Sequence, residues 1–251
     1  MSECKVSVVI PALNEEATVG DVVQTCLRSE CVAQAGEVIV IDSDSTDATA
    51  QRAAAAGARV LNWRDVGPYE PRPGKGEALW RGVRAARGEV VVFIDADVTS
   101  VQPEWVDALA APFVSPDIHL VKAAYRRELN GGPGGGRVTE LTAKPLLRLL
   151  FPQLGHISQP LAGEYAIRRD TALRVPFVAG YGVEVGLLID VAATHGPASI
   201  TEARLSARRH RNRPLAELSP MAEVVAATIL KRAGVGDTAV PQRPAWNEAI
   251  E

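Results

Sequence analysis

Two spacings of apolar residues alternate along the first half of the chain. The runs VSVVI, EVIVI, RVLNW and VVVFI are short and rich in β-branched side chains, the pattern of strands buried on both faces. Between them, residues 15–27, 46–56 and 76–86 repeat their apolar positions at helical intervals. Strands alternating with helices predict an α/β fold with a mostly parallel sheet and helices on both faces. In such sheets ligands bind beyond the carboxyl ends of the strands. The polar clusters PALNEE, DSDSTD and DAD fall there, each directly after an apolar run.

The second half has a different rhythm. A strand in IHLVKAAY precedes a glycine-rich loop at 130–137, a helix over 138–150, the segment QPLAGEYAIRR, a helix over 184–193 and an amphipathic helix over 215–233. The tail PQRPAWNEAIE, rich in proline, is expected to be loosely held. No repeat or linker divides the chain, so one α/β domain with a C-terminal elaboration is the simplest parse.

Composition narrows the partners. The 251 residues are 47% hydrophobic, enough for a full core, and a net charge of −3 leaves no broad basic surface for nucleic acid. No apolar run is long enough to cross a membrane, and MSECKVSVVI lacks the basic start and cleavable apolar stretch of a signal peptide, so a cytoplasmic protein without a membrane partner is expected. The three cysteines show no CxxC spacing and read as small buried apolar residues.

The polar clusters carry the candidate chemistry. In GEVVVFIDADVT a buried strand runs into Asp95 and Asp97, which alternation places on one side. Two carboxylates sharing a face repel unless a cation is near, and hard oxygens suit Mg²⁺ or Mn²⁺ shared with substrate phosphates; a turn with a helix cap is the plainer alternative. In DSDSTDAT, Ser45, Thr46 and Asp47 suit helix capping, whereas Asp42 and Ser43 at the strand tip suit a ligand. Lys75 lies between two glycines at a helix start, a place that favours anions, although a solvated lysine would look the same. Arg137 and Thr139 in GGGRVTE open another helix, a second anion site if the glycine loop is ordered. RRHRNR at 208–213 reads either as a solvated basic strip or as the setting for a neutral, metal-binding His210.

The blocks PALNEE, VIDSDSTD, PGKGEALW, VVFIDAD, GGGRVTEL, QPLAGEYA, GYGVEVGLLID and HRNRPL, in this order, resemble the glucosyl-3-phosphoglycerate synthases. These are retaining glycosyltransferases of the GT-A fold, a Rossmann-like sheet architecture, and close relatives of the mannosyl-3-phosphoglycerate synthases. The resemblance spans about residues 6–232; the first blocks and the DxD pair occur in many nucleotide-sugar transferases, while GGGRVTEL, GYGVE and HRNRP are narrower. It implies one continuous domain, with residues 1–100 as the nucleotide-sugar-binding half and 101–251 as the acceptor-binding half with its C-terminal helix.

The resemblance also implies residue roles. Pro11, Ala12, Leu13, Glu15 and Ser43 would line the nucleoside pocket with Lys75 nearby; Asp95 and Ala96 would contact the sugar nucleotide; Asp97 and His210 would hold Mg²⁺ or Mn²⁺. Gly136, Arg137, Thr139 and Asn212 would take the phosphate and carboxylate of 3-phosphoglycerate, while Leu161, Tyr181 and Glu184 would face the sugar. Glu184, Asp95 and Lys75 are then the catalytic candidates. The implied activity is glucose transfer from UDP-glucose to the acceptor's 2-hydroxyl by a homodimer. Competing readings are GDP-mannose or GDP-glucose as donor, another anionic acceptor, or a non-catalytic sugar-nucleotide binding module. Two departures are expected to matter: Asp44 replaces an expected glycine and adds negative charge beside the nucleoside pocket, and both ends look shorter than in the family.

Overall fold

The computed structural model describes residues 5–129, 132–133, 136–209, 215–236 and 239–249. The first half runs β1 (Val6–Ala12), α1 (Val19–Leu27), α2 (Glu30–Ala35), β2 (Glu37–Asp42), α3 (Thr49–Ala55), β3 (Arg59–Asn62), α4 (Lys75–Ala85), β4 (Val90–Phe93), α5 (Pro103–Ala110) and β5 (Leu120–Ala124). After it come β6 (Arg127–Leu129), β7 (Gly132–Pro133), a π-helical turn (Thr139–Ala143) leading into α6 (Lys144–Leu150), β8 (Tyr165–Arg168), α7 (Arg169–Ala172) and β9 (Phe177–Val178). The chain closes with α8 (Val183–His195), β10 (Ile200–Arg204), β11 (Arg208–Arg209), α9 (Leu215–Arg232) and β12 (Gln242–Arg243).

Seven strands form the main sheet in the order β10-β5-β8-β4-β1-β2-β3. β4, β1, β2 and β3 are parallel, as the alternating pattern requires, and β10 is parallel to β5. β8 lies antiparallel to both neighbours, β4 and β5. Alternate residues of the central strands serve two cores. Val9, Ile39, Ile41 and Phe93 pack with Leu79, Trp80 and Val83 of α4 and Leu188 of α8, while Val8, Ile10, Val40 and Val92 pack with Val22 of α1 and Leu109 of α5. Both sides of these strands are dry, so their carboxyl ends are fixed.

Several elements differ from the sequence expectation, each for a physical reason. The first helix begins at Val19 because Asn14 takes the left-handed conformation (φ 56°), and the N–H groups of Asn14, Glu15 and Glu16 donate across to Ser45 Oγ, Thr49 Oγ1 and Asp47 Oδ2. The next helix begins at Thr49, with Ala48 at the N-cap position and no side chain capping it; Asp47, one residue further out, accepts the Thr49 N–H at Oδ1, 2.9 Å away. α2, α5 and β10 were not anticipated. The tail as far as Ala249 is not loose. β12 pairs antiparallel with β9, Trp246 is 2% exposed, and its ring stacks on Trp80 with centroids 3.6 Å apart. Each indole N–H donates to backbone of the opposite segment, Trp246 Nε1 to Trp80 O and Trp80 Nε1 to Pro244 O. A large aromatic surface with a satisfied polar handle outweighs the local proline content.

Cys26 and Cys31 are free thiols, and burial pushes each up to about 12, which suits an inert packing role. Among the described residues no helix is long and apolar enough to cross a membrane.

α4 approaches β1 closely because Gly82 faces Val9, where an added Cβ would overlap Val9 Cγ1. Alanine would favour the helix by roughly 0.5–1 kcal/mol, but overpacking costs about 1–3 kcal/mol. Gly82→Ala is therefore expected to destabilise the protein in urea melts, and Val9→Ala in the same chain to recover part of the loss. Additive losses in the double variant would refute the close packing.

Candidate active site

The carboxyl ends of β1, β2 and β4 open into a cleft of about 900 Å³. β1 and the turn after it supply Pro11, Ala12, Leu13 and Glu15; the end of β2 supplies Ser43; α4 opens with Lys75; Asp95, Ala96 and Asp97 follow β4. The facing wall consists of Gly136, Arg137 and Thr139, then Leu161, Tyr181, and Glu184 in the first turn of α8. Every site residue that the resemblance implied, within the described residues, thus lines this one cleft. His210 and Asn212 lie outside the described residues. Asp42, expected to meet a ligand, is 6% exposed and is not among the residues lining the cleft; its Oδ2 accepts from Ser45 N–H at 3.3 Å, and its Oδ1 is buried with no hydrogen-bond partner among the described residues.

Lys75 is the junction of the two walls. Its Nζ lies 2.5 Å from Asp95 Oδ1 and 2.9 Å from Glu184 Oε1. Burial works against its charge, yet Asp95 and Glu184 outweigh that effect and hold its pKa well above the usual lysine value. The flanking glycines serve close approach more than anion binding. A Cβ on Gly76 would overlap Val178 O, and the Gly76 N–H is spent on Ala179 O at 2.9 Å. Gly74 has φ 124°, the left-handed region, with Ala179 O directly against it.

A layer behind these residues escaped the sequence reading. Arg208, in the basic run for which a solvated strip is one of two readings, is 8% exposed and bridges Asp95 Oδ2 (3.3 Å) and Glu164 Oε1 (2.8 Å). Tyr125 Oη donates to Glu164 Oε2 at 2.9 Å. Lys122, fully buried in β5, donates to Ala162 O at 2.9 Å and sits over the Tyr165 ring. Lone charged residues inside apolar stretches, as in LVKAAY and LAGEYAI, were the available signal.

Asp95 and Asp97 share the cleft but not their surroundings. Burial raises the Asp95 carboxyl, and Lys75 and then Arg208 overcome it, leaving the pKa below the ordinary value. Asp97 has neither an ion pair nor a side-chain hydrogen bond among the described residues, and its pKa is raised, first by loss of water around it and then by the Asp95 charge. Asp44 does not burden the nucleoside side. It adopts φ 62°, and its carboxylate accepts from Arg64 Nε at 2.9 Å and Asn62 Nδ2 at 3.0 Å. Those contacts, Arg64 first, hold its pKa down at about 2.

Residues 7–174 match the family model for glycosyl transferase family 2. The glucosyl-3-phosphoglycerate synthase of Mycolicibacterium paratuberculosis is 50% identical over 245 residues, covering 94% of this chain and 74% of that one. The enzyme of the same name from Petrotoga mobilis is 41% identical over 92% of this chain and 74% of its own. The crystal structure of the Mycobacterium tuberculosis glucosyl-3-phosphoglycerate synthase with Mn²⁺, UDP-glucose and phosphoglyceric acid superposes with a TM-score of 0.89, at 44% identity over 98% of this chain and 91% of that chain. The chain belongs to the glucosyl-3-phosphoglycerate synthases. Its sheet is accordingly a GT-A fold.

Solved family members carry Mn²⁺ or Mg²⁺ beside UDP. In this chain the fit rests on Asp97: a hard oxygen donor facing the cleft, unneutralised by described side chains, beside a carboxylate already saturated by Lys75 and Arg208. No cluster of three or more His, Cys, Asp or Glu capable of holding a metal occurs among the described residues. A divalent ion held there would suit oxygen donors, which substrate phosphates and water also supply.

Burial lowers the Lys122 pKa to about 8, with Glu184, Glu164 and Asp95 opposing the shift and Lys75 adding to it. The unfolded lysine binds a proton up to about pH 10.4, so the unfolded state holds more protons between the two values and stability rises with pH across that window. Lys122→Met removes the group. Its stability relative to the parent should fall by up to about 3 kcal/mol between pH 7 and pH 10.5, measured by urea unfolding at each pH. A pH-independent difference would contradict the lowered pKa of the buried Lys122.

Proposed function

We propose that this protein transfers glucose from UDP-glucose to the 2-hydroxyl of 3-phosphoglycerate with retention of anomeric configuration, in the presence of Mg²⁺ or Mn²⁺. One observation carries the reading. The strand-end residues Pro11, Ser43 and Asp95 and the segment Gly136, Arg137 and Thr139 line one cleft, in which Lys75 pairs with Glu184. Pro11, Ala12, Leu13, Glu15 and Ser43 hold the nucleoside, and Asp95 and Ala96 meet the sugar nucleotide. Asp97, the second aspartate of the DxD motif, holds the divalent metal together with His210. Gly136, Arg137, Thr139 and Asn212 bind the phosphate and carboxylate of the acceptor, while Leu161 and Tyr181 flank the sugar.

The chemistry follows from these placements. The bond between the sugar's anomeric carbon and the diphosphate oxygen breaks, and a bond to the acceptor's 2-oxygen forms on the same face. The hydroxyl proton passes to the departing diphosphate. Charge therefore accumulates on the leaving group, where the metal, when bound, acts as a Lewis acid. Lys75 supplies a fixed positive charge on the protein side, held in place before substrate arrives by Asp95 and Glu184. Glu184, 4% exposed, is positioned to orient a sugar or acceptor hydroxyl. The reaction needs no membrane or nucleic acid, which fits a cytoplasmic enzyme; a homodimer is the assembly that the family resemblance supports.

The deciding assay crosses UDP-glucose, GDP-glucose, ADP-glucose and GDP-mannose with 3-phosphoglycerate in Mg²⁺, reading nucleotide release and product mass together. Product is expected with UDP-glucose. Nucleotide release without a glucosylated acceptor would overturn the acceptor assignment, and product with GDP-mannose alone would overturn the donor.

Two substitutions test the allocation of residues. Asp97→Ala should abolish metal-dependent turnover; undiminished turnover would remove its role. Arg137→Ala deletes a charge-assisted contact worth about 1.5–3 kcal/mol, so the acceptor KM should rise roughly tenfold to a hundredfold with the donor KM nearly unchanged. Equal rises in both would count against an acceptor site at Arg137.

A further inference from the structure

Residues 239–249 contribute nothing to the cleft, yet they brace the two helix starts that meet at its centre. β12 pairs with β9, placing Gln242 opposite Val178, and the Ala179 N–H donates to Pro241 O at 3.0 Å. The Ala179 carbonyl in turn accepts from Gly76 N–H at 2.9 Å. Residues 178–180 are therefore held between the tail on one side and the first turn of α4 on the other, immediately before Tyr181 and Glu184.

A second brace is ionic. Glu77, two residues after Lys75, is fully buried. It accepts from Arg243 Nε at Oε2 and Arg243 Nη2 at Oε1, both at 2.8 Å, and from Arg81 Nε at Oε1, also 2.8 Å. Arg81 spends its other donors on the carbonyls of Trp63, Val66 and Tyr69, and Arg243 bonds the Glu70 carbonyl. The loop leading into Lys75 and the first turn of α4 thus hang on one buried carboxylate with two guanidinium partners. A two-toothed contact of this kind fixes orientation as well as distance.

We propose that Arg243 is a positioning residue: through Glu77 it fixes where α4 presents Lys75 to Asp95 and Glu184. The inference rests on the proposed role of Lys75, but its first test does not require turnover. Competitive acetylation of the folded protein, read by mass spectrometry, reports how much of the Lys75 amine is free of its carboxylates. In Arg243→Met, Lys75 labelling should rise roughly tenfold, the effect of one pKa unit on the free amine, with Lys144 as an internal reference that does not change. Arg243→Lys keeps the charge but loses the fork, and should give an intermediate rise; it also serves if the methionine variant fails to fold. In turnover, kcat should fall about tenfold to a hundredfold, as for a small misplacement of a catalytic group, with the acceptor KM within about twofold. Ser29→Ala, which removes a buried hydrogen bond to the Cys26 carbonyl between α1 and α2, controls for simple destabilisation and should leave Lys75 labelling at the parent rate. A folded Arg243 variant with parent-like Lys75 labelling would overturn the proposal. If the parent makes no glucosylated acceptor, the functional reading fails instead, and the labelling still decides the role of Arg243.

Discussion

The ammonium of Lys75, shared by Asp95 and Glu184, is the contact on which the site depends. Asp95 follows the central strand β4, Lys75 opens α4 and Glu184 lies in the first turn of α8, so a single cation gathers the ends of three elements. Such an arrangement is a weak source of stability, because removing charges from water offsets much of their attraction. Its value lies in geometry. The carboxyl ends of the buried strands cannot move, and two backbone contacts too tight for any side chain at Gly74 and Gly76 bring the α4 start against residues 178–180. The positive charge is therefore fixed in the cleft by its two carboxylate partners.

Behind this contact the charges are balanced layer by layer. Asp95, Glu164 and Glu184 face Lys75, Arg208 and Lys122, and Tyr125 and the Ala162 carbonyl take up the donors and acceptors left over. A buried network of this size is tolerable only when nearly all its members are satisfied. Its members come from β5, from residues 162–164 ahead of β8, and from β11, which gives the antiparallel insertion of β8 a purpose. Reversing that strand delivers Ala162, Gly163 and Glu164 to the same edge as the carboxyl ends of β4 and β5. Gly163 is pressed against Asp95 and Lys75, where a Cβ would overlap Asp95 Oδ2, so this segment forms a floor for the cleft.

The parts legible in the sequence were those whose local pattern and final environment coincide. β1, β2 and β4 are apolar on both faces because both faces are covered, and the polar clusters after them mark the ligand edge. The family resemblance supplied the facing wall, which no periodicity would have found. β10 was missed because ITEAR carries two charged residues, acceptable at the sheet margin, where Glu202 finds Ser158 as a partner. The tail was misread because proline content is a local signal, whereas its order comes from Trp80 and Glu77, distant in sequence. Arg208 looked solvated because its partners, Asp95 and Glu164, are separated from it by long stretches of chain.

The two aspartates of DAD show how the same residue type takes different work. Their alternation on one side of a strand end predicts repulsion, and repulsion can be relieved by pairing both, pairing one, or admitting a mobile cation. The fold pairs one. Lys75 pairs with Asp95 Oδ1 and Arg208 with Oδ2, and neither makes an ion pair with Asp97. Asp95 is thereby a fixed, ionised contact whose charge is already matched, while Asp97 has no ion pair among the described residues and its proton affinity is raised by loss of water and then by the Asp95 charge. A carboxylate in that condition gains most from a divalent ion that arrives with the diphosphate, because the ion relieves both the repulsion and the loss of water. The positions of two cations, more than the motif itself, therefore decide which aspartate is already paired.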